Sequence, residues 1–301
     1  MAEFDGSRAY VLRRDEPLAE ALRAVAAGRA EKALERLREG AGGETDLADA
    51  IHGARKDMKK LRTVLRLLRG HLPKRVREEE NGRYRDAGRA LSASRDAEVK
   101  VGTLESLAEH APDLPEKAVE VWRQILARDR DAAAHEDRIE EAITLIEAGR
   151  EGIAGWSLEG DSWKIIGAGL ERVHRGGRRA LRATEAEPGE ANVHEWRKRV
   201  KDLRYALEFI KGAWPGPLKA TAEEAHALTD LLGEHHDLAV LREDLRQRRL
   251  GEEETQALEA VIDARQRQLV SEALPLGRRL YAERPKALDR RLRRYWEAWR
   301  G

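Results

Sequence analysis

The sequence predicts an all-α protein, and three observations support this fold class. Val, Ile and Thr, which favour sheets, number only 32 of 301 residues, whereas Ala, Leu, Glu, Lys and Arg, which favour helices, are abundant. Apolar residues recur with the period of a helix, and no segment alternates as a strand does. Pro and Gly divide the chain into segments of helix length, which indicates consecutive helices.

Four helices are predicted in the first half of the chain, and they begin at capping residues. Pro17 suits the first turn of a helix, and either Thr45 or Asp46 suits the N-cap of the next one. The third helix carries a predicted break near Gly82 or Gly88. The predicted helices cover residues 17–39, 46–70, 73–110 and 115–148, followed by a loop at 149–161. That loop is rich in glycine and is predicted to separate two halves.

The second half repeats this organisation. Helices are predicted at 162–184 and 192–212, and Pro215-Gly216-Pro217 is predicted to form a turn. Two or three more helices follow to the C-terminus. Their predicted breaks lie near Gly251, Pro275 and Pro285. The expected organisation is one domain over 1–301, with a first helical repeat at 10–149 and a second at 162–301.

Composition excludes several classes of protein. The chain carries 57 Lys and Arg against 56 Asp and Glu, so its net charge is only +1, which argues against a uniformly basic nucleic-acid coat or an acidic tail. The absence of cysteine excludes disulfides and thiolate metal sites. Residues 1–10 lack the apolar core of a signal peptide, and no apolar run approaches the roughly 18 residues of a membrane span. These features predict a cytoplasmic protein that makes no membrane contact.

Two motifs occur twice, in the same order and at nearly the same spacing. The first, H-x-x-R-K-x-x-K-x-L-R, begins at His52 and again at His194. The second, L-[GS]-x-x-x-D-x-x-V, contains Asp96 in its first copy and Asp237 in its second. Two ordered motifs repeated at one spacing indicate a tandem duplication into halves of about 140 residues.

Each copy of the first motif separates charge from apolar residues around a helix. At about 100° per residue, Met58, Leu61 and Leu65 fall opposite the basic side chains of the first copy. Residues 51–77 hold ten Lys and Arg and one acid, Asp57. Like charges at i,i+4 repel, so a face this cationic is typical of a helix that binds an anion. A further acid-free stripe lies on a later helix: Arg172, Arg175, Arg178, Arg179 and Arg182.

A multivalent phosphate is the anion that these side chains suit. Arg offers a planar fork that matches phosphate oxygens, and Lys offers a point charge. Stacking platforms for single-stranded nucleic acid are not evident, because aromatic residues make up 5% of the chain and Trp196 and Trp214 are predicted on the apolar side. A general nucleic-acid-binding helical protein remains an alternative at this stage.

The two motifs resemble the CHAD domain, the conserved-histidine alpha-helical domain, over roughly residues 10–300. The second copy, from His194 to Tyr205, is the closer match. The resemblance implies two helical bundles of about four to five helices each, related by pseudo-two-fold symmetry, with basic helices lining a central groove or pore. It also implies binding of inorganic polyphosphate and association with bacterial polyphosphate granules. No E-x-E-x-K strand of the triphosphate-processing CYTH domain is present, so a stand-alone CHAD protein is expected.

The resemblance and the sorted basic faces together give a set of expected polyphosphate-binding residues. Asp96 and Asp237 are expected to support them by pairing with motif arginines. The expected binding residues are His52, Arg55, Lys56, Lys59, Lys60, Arg62, Arg66, Arg175, Arg179, Arg182, His194, Arg197, Lys198, Lys201 and Arg204.

Two further interpretations concern chemistry and packing. The motif histidines, together with His226, His235 and His236, permit a metal-dependent phosphohydrolase, but adjacent helical residues do not share a face and make poor co-ligands. No nucleophile–base pair and no cofactor fingerprint is present, so we expect a non-enzymatic protein with no metal and no cofactor. The basic C-terminal segment is expected to pack on the bundle through Leu292, Trp296 and Trp299, rather than to lie on a membrane.

Overall fold

A computed structural model describes residues 9–112, 114–133, 138–248 and 252–301, and over these ranges the protein is all-α, as predicted. The helices are α1 Leu18–Ala41, α2 Leu47–Leu67, α3 Lys74–Ala90, α4 Ala93–His110, α5 Glu116–Ala133, α6 Ile139–Ile153, α7 Lys164–Ala186, α8 Glu190–Ile210, α9 Pro215–Arg248, α10 Glu252–Leu280 and α11 Pro285–Arg300. Strands are absent from these ranges, and none of the helices there is long and apolar enough to cross a membrane.

Several glycines that the pattern predicts as breaks lie inside helices. The third predicted helix divides between α3 and α4 rather than at Gly82 or Gly88. A single glycine costs only about 1 kcal/mol in a helix, which packing readily offsets. Helix α6 continues to Ile153, past the predicted start of the loop. A Cβ at Gly149 would lie 2.7 Å from the Tyr84 ring, so this glycine lets α6 approach α3 closely.

Two proline predictions are also wrong for physical reasons. The predicted turn at 215–217 is the first turn of α9, where proline is tolerated because the N–H groups there have no helical partner. Pro275 lies inside α10 rather than at a break. Nearby Ala273 is fully buried, so packing holds the helix through a residue that removes one backbone hydrogen bond. The break at Pro285 is confirmed as the start of α11, and Gly251 lies outside the described residues.

Two clusters of buried apolar side chains form the core, and each takes residues from both halves of the sequence. The larger cluster joins α1, α2, α3 and α6 to α7, α8, α11 and parts of α9 and α10. The smaller cluster packs Leu104 and Trp122 of α4 and α5 against Leu241 and Ile262 of α9 and α10. The two predicted repeats therefore share their cores.

Helix α2 packs against α1, α3, α7 and α8 and positions the motif residues. Asp57 is 2% exposed and accepts hydrogen bonds from Arg29, at 3.2 Å, and from Arg36. This buried ion-pair cluster ties α1 to α2. The second copies of the two motifs lie next to the first copies, because α2 contacts α8 and α4 contacts α9. All four motif segments therefore lie side by side.

Candidate functional site

The two motif helices bury their apolar faces and leave their basic residues turned toward each other. Met58 and Leu61 of α2 are at most 1% exposed, and Trp196 and Val200 of α8 are fully buried. Burial of one stripe fixes the orientation of the opposite stripe on the same helix.

Five cations converge where α2, α4 and α8 meet, and we call them the central cationic cluster. Its members are Arg55, Lys59, Arg95, Arg197 and Lys201. Arg55, Arg95 and Arg197 each repel the charge of Lys59, and Lys59 and Arg197 each repel the charge of Lys201. The cluster thus joins cations from both copies of the first motif.

Crowding lowers the pKa values of both lysines in the cluster. The pKa of Lys59 falls to about 8, first because surrounding protein displaces water from the ammonium group and then because Arg55 and Arg197 repel it. The pKa of Lys201 falls to about 7, through the same loss of water followed by repulsion from Arg197 and Lys59. Lys59 is still exposed and Lys201 partly exposed, so both remain accessible to an anion that would relieve the repulsion.

Counter-ions are scarce around these cations. Within the described ranges, Lys59, Lys201 and Arg197 form no ion pair, and the Nε of Arg197 is buried without a hydrogen-bond partner. Burial raises the pKa of the Asp237 carboxyl. The nearby charge of Arg197 lowers this pKa, but the effect of burial is larger. A cleft of about 420 Å³, lined in part by Arg95 and Asp237, opens beside the cluster between α4, α9 and α10.

Arg55 is the anchored member of the cluster. Its guanidinium donates hydrogen bonds to the carbonyl oxygens of Leu91, at 2.5 Å, and Gly88, at 3.3 Å, and so caps the C-terminal end of α3. It also lies 3.6 Å from a carboxylate oxygen of Asp96, which is the pairing expected for that residue. Asp237, the corresponding residue of the second copy, forms no comparable ion pair among the described residues.

Three histidines border the cluster, and their pKa values are lowered. The Nδ1 atoms of His194 and His236 are 3.1 Å apart, a hydrogen bond in which the Nδ1–H of one ring donates to the unprotonated Nδ1 of the other. Burial, followed by repulsion from nearby cations, lowers the pKa of His236 to about 3 and also lowers the pKa of His194. Burial and the charges of Arg95 and Lys59 lower the pKa of His52. These lowered pKa values favour the neutral rings near pH 7, so the histidines add little positive charge to the cluster.

Two of the expected binding residues, Lys60 and Arg204, form ion pairs with Glu208 outside the central cationic cluster. Lys60 lies 3.8 Å from Glu208 and sits over the ring of Tyr10, 4.9 Å from its centroid. Arg204 donates to the same Glu208 at 2.9 Å. Lys60 and Arg204 therefore fasten α2, α8 and the N-terminal segment to one another.

A second group of expected residues lies in a separate cleft of about 440 Å³, which we call the arginine cleft. It lies between the C-terminal end of α2, the start of α3, α7 and α8. Seven arginines and one carboxylate line it: Arg66, Arg69, Arg77, Arg172, Arg175, Arg179 and Arg199, with Asp202. Arg62 lies between this cleft and the central cationic cluster, and its Nε donates to Asn81 at 3.1 Å.

Three further expected residues are exposed at the margins of these sites. Lys198 lies 2.6 Å from Glu195 on its own helix. Lys56 is exposed on α2, beside the central cationic cluster. Arg182 is exposed on α7 but does not line the arginine cleft.

Sequence reasoning missed several cations of both sites. The repeat could have indicated Arg95, because Arg95 in the first copy of the second motif aligns with His236 in the second copy. Arg69 and Arg77 belong to the acid-poor run of the first half and carried a weaker signal. Arg199 gave no signal, because the helical wheel places it away from the motif face.

The aromatic residues depart from the prediction at one position. Trp196 is fully buried, as predicted, whereas Trp214 is 49% exposed and contacts the edge of the Tyr295 ring. The prediction for Trp214 is wrong because the 3-10 turn after α8 directs it away from the core. Leu292 and Trp296 are buried against the bundle and Trp299 packs on it partly buried, which confirms the packing expected of α11.

The remaining histidines do not assemble with carboxylates into a cluster. His226 contacts Asp230 at 2.8 Å on the exposed side of α9. His235 is buried on the other side, and burial lowers its pKa to about 4. In the part of the chain that the structure describes, no group of three His, Asp or Glu side chains is placed to hold a metal ion.

The fold and the opposed basic helices define an all-α protein with a cationic site between its motif helices. The sequence model of the CHAD domain matches residues 26–246, and the chain belongs to this family. A crystal structure of the CHAD domain from the plant Ricinus communis is similar, with a TM-score of 0.64 and 22% identity over 97% of this chain and 96% of that one. PptA from Streptomyces chartreusis matches with a TM-score of 0.63 and 17% identity over 89% of this chain and 100% of that one. No curated protein sequence matches.

Proposed function

We propose that this protein binds inorganic polyphosphate without acting on it chemically, and that the central cationic cluster holds the chain. The observation that carries the proposal is the convergence of Lys59, Lys201 and Arg197 without an ion-pair partner in the described ranges. Membership of the CHAD family, some members of which bind polyphosphate, supports the same ligand.

The chemistry of the cluster favours a chain of phosphates over a single one. Each charge-assisted hydrogen bond contributes roughly 1.5–3 kcal/mol, and the guanidinium of Arg197 can form two to one phosphate. Lys59 and Lys201 come from different copies of the motif, so one small anion satisfies only part of the site. A polyphosphate carries charge on every unit, and contacts of neighbouring units then act together.

Polyphosphate also suits the site better than nucleic acid does. Bases are held in sequence-tolerant sites by stacking on exposed aromatic rings. Trp196, the aromatic residue nearest in sequence to Arg197, is fully buried in the core. Tyr205, which lies near Arg197 in space, is also buried, so neither ring offers a platform for bases.

The state of the histidines supports binding without catalysis. His194 and His236 direct their Nδ1 atoms at each other, and burial is the first cause of the lowered pKa of each. They are thus poorly placed to transfer protons to a phosphate. In the cytoplasm, such a binding module would associate with polyphosphate granules through its cationic cluster.

A charge-reversal experiment tests this proposal. The variant Lys59→Glu with Lys201→Glu should bind long-chain polyphosphate at least about 100-fold more weakly, because two contacts of roughly 1.5–3 kcal/mol are lost. Lys117→Glu with Arg128→Glu is the matched control, since both residues are exposed on α5, which packs mainly against α4. Circular dichroism checks that both variants fold. Equal affinity of the two variants would place the ligand elsewhere.

A second measurement addresses the absence of catalysis. Wild-type protein is incubated with polyphosphate and Mg²⁺ or Mn²⁺, and inorganic phosphate is measured. We expect no release above the rate of the Lys59→Glu/Lys201→Glu variant. Release that depends on the metal and is lost in that variant would identify a phosphohydrolase instead.

A further inference from the structure

We propose that the arginine cleft is a second phosphate-binding subsite, reached along α2 from the central cationic cluster, and that a long polyphosphate chain occupies both. This inference rests on the proposed function. It adds a second point of attachment and a physical basis for preferring long chains.

The lining of the cleft has the chemistry of an oxyanion site. All of its cations are arginines, whereas the central cationic cluster mixes lysine with arginine. Guanidinium groups present flat pairs of donors that match phosphate oxygens, and they stay charged when partly buried. A volume of about 440 Å³ is enough for several phosphate units.

The floor of the cleft is held in place before any ligand arrives. Asp202 is only 7% exposed and lies 3.2 Å from Arg66 of α2 and 3.3 Å from Arg199 of its own helix. Burial raises the pKa of Asp202, while Arg66, Arg199 and Arg62 act to lower it. One carboxylate thus orders two arginines. Arg77 and Arg175 pair with acids of their own helices, which leaves three of the seven arginines without an ion pair among the described residues.

The rim of the cleft carries the cations that remain available. The Nε of Arg172 is buried without a hydrogen-bond partner, although its other end donates to the carbonyl of Arg69. The side chains of Arg69 and Arg179 are exposed and form no ion pair among the described residues. Arg175 is exposed, and its one ion pair with a described residue joins it to Glu171 of its own helix. These guanidinium groups can turn to an anion at little cost.

A cationic stripe on α2 connects the cleft to the central cationic cluster. Lys59, Arg62 and Arg66 follow one another at helical spacing, and Lys59 and Arg66 are about 10 Å apart along the axis. Arg62 is half-buried, and its pKa is lowered by burial and then by Arg66, with Arg85 and Arg89 of α3 adding further repulsion. A chain that leaves the cluster therefore meets positive charge along the whole path.

Close packing keeps the two subsites at a fixed separation. A Cβ at Gly169 of α7 would clash with the backbone of Leu67 at the end of α2. This glycine allows α7 to approach α2 directly, so α2 acts as a rigid spacer between the two sites. A chain held at one end then presents its next units to the other site at high effective concentration.

The experiment compares pyrophosphate, which occupies one subsite at a time, with long-chain polyphosphate, which spans both. Arg175→Glu with Arg179→Glu reverses two exposed charges of the cleft, and Lys117→Glu with Arg128→Glu serves as the matched control. In isothermal titrations the cleft variant should bind one pyrophosphate fewer than the wild type. It should bind long chains about 100-fold more weakly, because the gain from linked subsites is lost. The control should behave as wild type.

The outcomes separate this inference from the proposed function. If the cleft variant keeps wild-type affinity for long chains or the wild-type number of bound pyrophosphates, the second subsite is overturned while the first site stands. If wild-type protein fails to bind long chains at all, the proposed function fails, and the pyrophosphate count alone decides whether the cleft is an anion site.

Discussion

Two faces of α2 handle positive charge in opposite ways. On one face Asp57 lies buried between Arg29 and Arg36, so every charge has a partner. On the opposite face, two residues further along, Lys59 and four other cations of the central cationic cluster have two carboxylates nearby, those of Asp96 and Asp237. The first arrangement stabilises the fold. The second destabilises it, because like charges lie close together. The near-zero net charge of the chain therefore conceals a local excess of positive charge.

The largest expected effect comes from breaking the compensated face. Asp57→Ala removes the carboxylate that Arg29, only 6% exposed, and Arg36 both contact, and we expect the free energy of unfolding to fall by about 3–5 kcal/mol. Urea unfolding followed by circular dichroism measures it. Asp49→Ala removes an exposed acid from the first turn of the same helix and should cost less than about 1 kcal/mol. Similar losses in the two variants would contradict the role assigned to Asp57.

The second prediction concerns pH, because raising the pH removes the positive charges of Lys59 and Lys201. The pKa values of Lys59 and Lys201 are about 8 and about 7 without ligand, and a bound polyanion raises them. Affinity for polyphosphate should therefore fall roughly 10-fold to 100-fold between pH 6 and pH 9, and binding at pH 8 should take up protons. Titrations in buffers of different ionisation enthalpy measure the uptake.

Lys201→Arg sharpens that test, since arginine keeps its charge throughout this pH range. The variant should bind with a flatter pH profile than the wild type. A profile as steep as that of the wild type would show that another group titrates.

The smallest effect is a gain in stability without ligand. The folded-state pKa of Lys201 lies below its unfolded value of about 10.5, so the unfolded chain binds the proton more tightly, and the resulting penalty is full below about pH 7 and vanishes above about pH 10.5. Lys201→Gln should therefore raise the melting temperature at pH 6 by about 2 °C, the shift that roughly 1 kcal/mol produces in a protein of this size. Lys198→Gln, at an exposed lysine of the same helix, should give no gain. A lower melting temperature for Lys201→Gln would mean that this lysine stabilises the fold.

Local sequence signals predicted most of the helices, and tertiary packing decided the exceptions. Asp46 caps α2 by accepting from the N–H of Asp49, as its residue type predicts. Gly149 and Pro275 misled the prediction because their effects depend on neighbours distant in sequence, such as Tyr84 against Gly149. No pattern along the chain reveals such a neighbour.

The candidate site shows the same division between local and distant information. Lys59 and Lys201 were predictable because the repeat places them at equivalent positions on an acid-poor face. Lys60 follows directly on Lys59, yet it is committed to Glu208, a residue 148 positions away. The arginine cleft could not be predicted as a unit, because it forms only where the end of α2 meets α7 and α8.

The measurement that tests the account most directly is a competition for wild-type protein between long-chain polyphosphate and duplex DNA of equal total charge, at about 50 and about 200 mM salt. Both ligands should bind more weakly at high salt, since screening and counter-ion release act on both. Polyphosphate should be preferred by at least about 10-fold at each salt concentration, because the central cationic cluster offers dense charge and the nearby rings of Trp196 and Tyr205 are buried. Equal affinity for the two polyanions would contradict a polyphosphate site and leave a general polyanion-binding face.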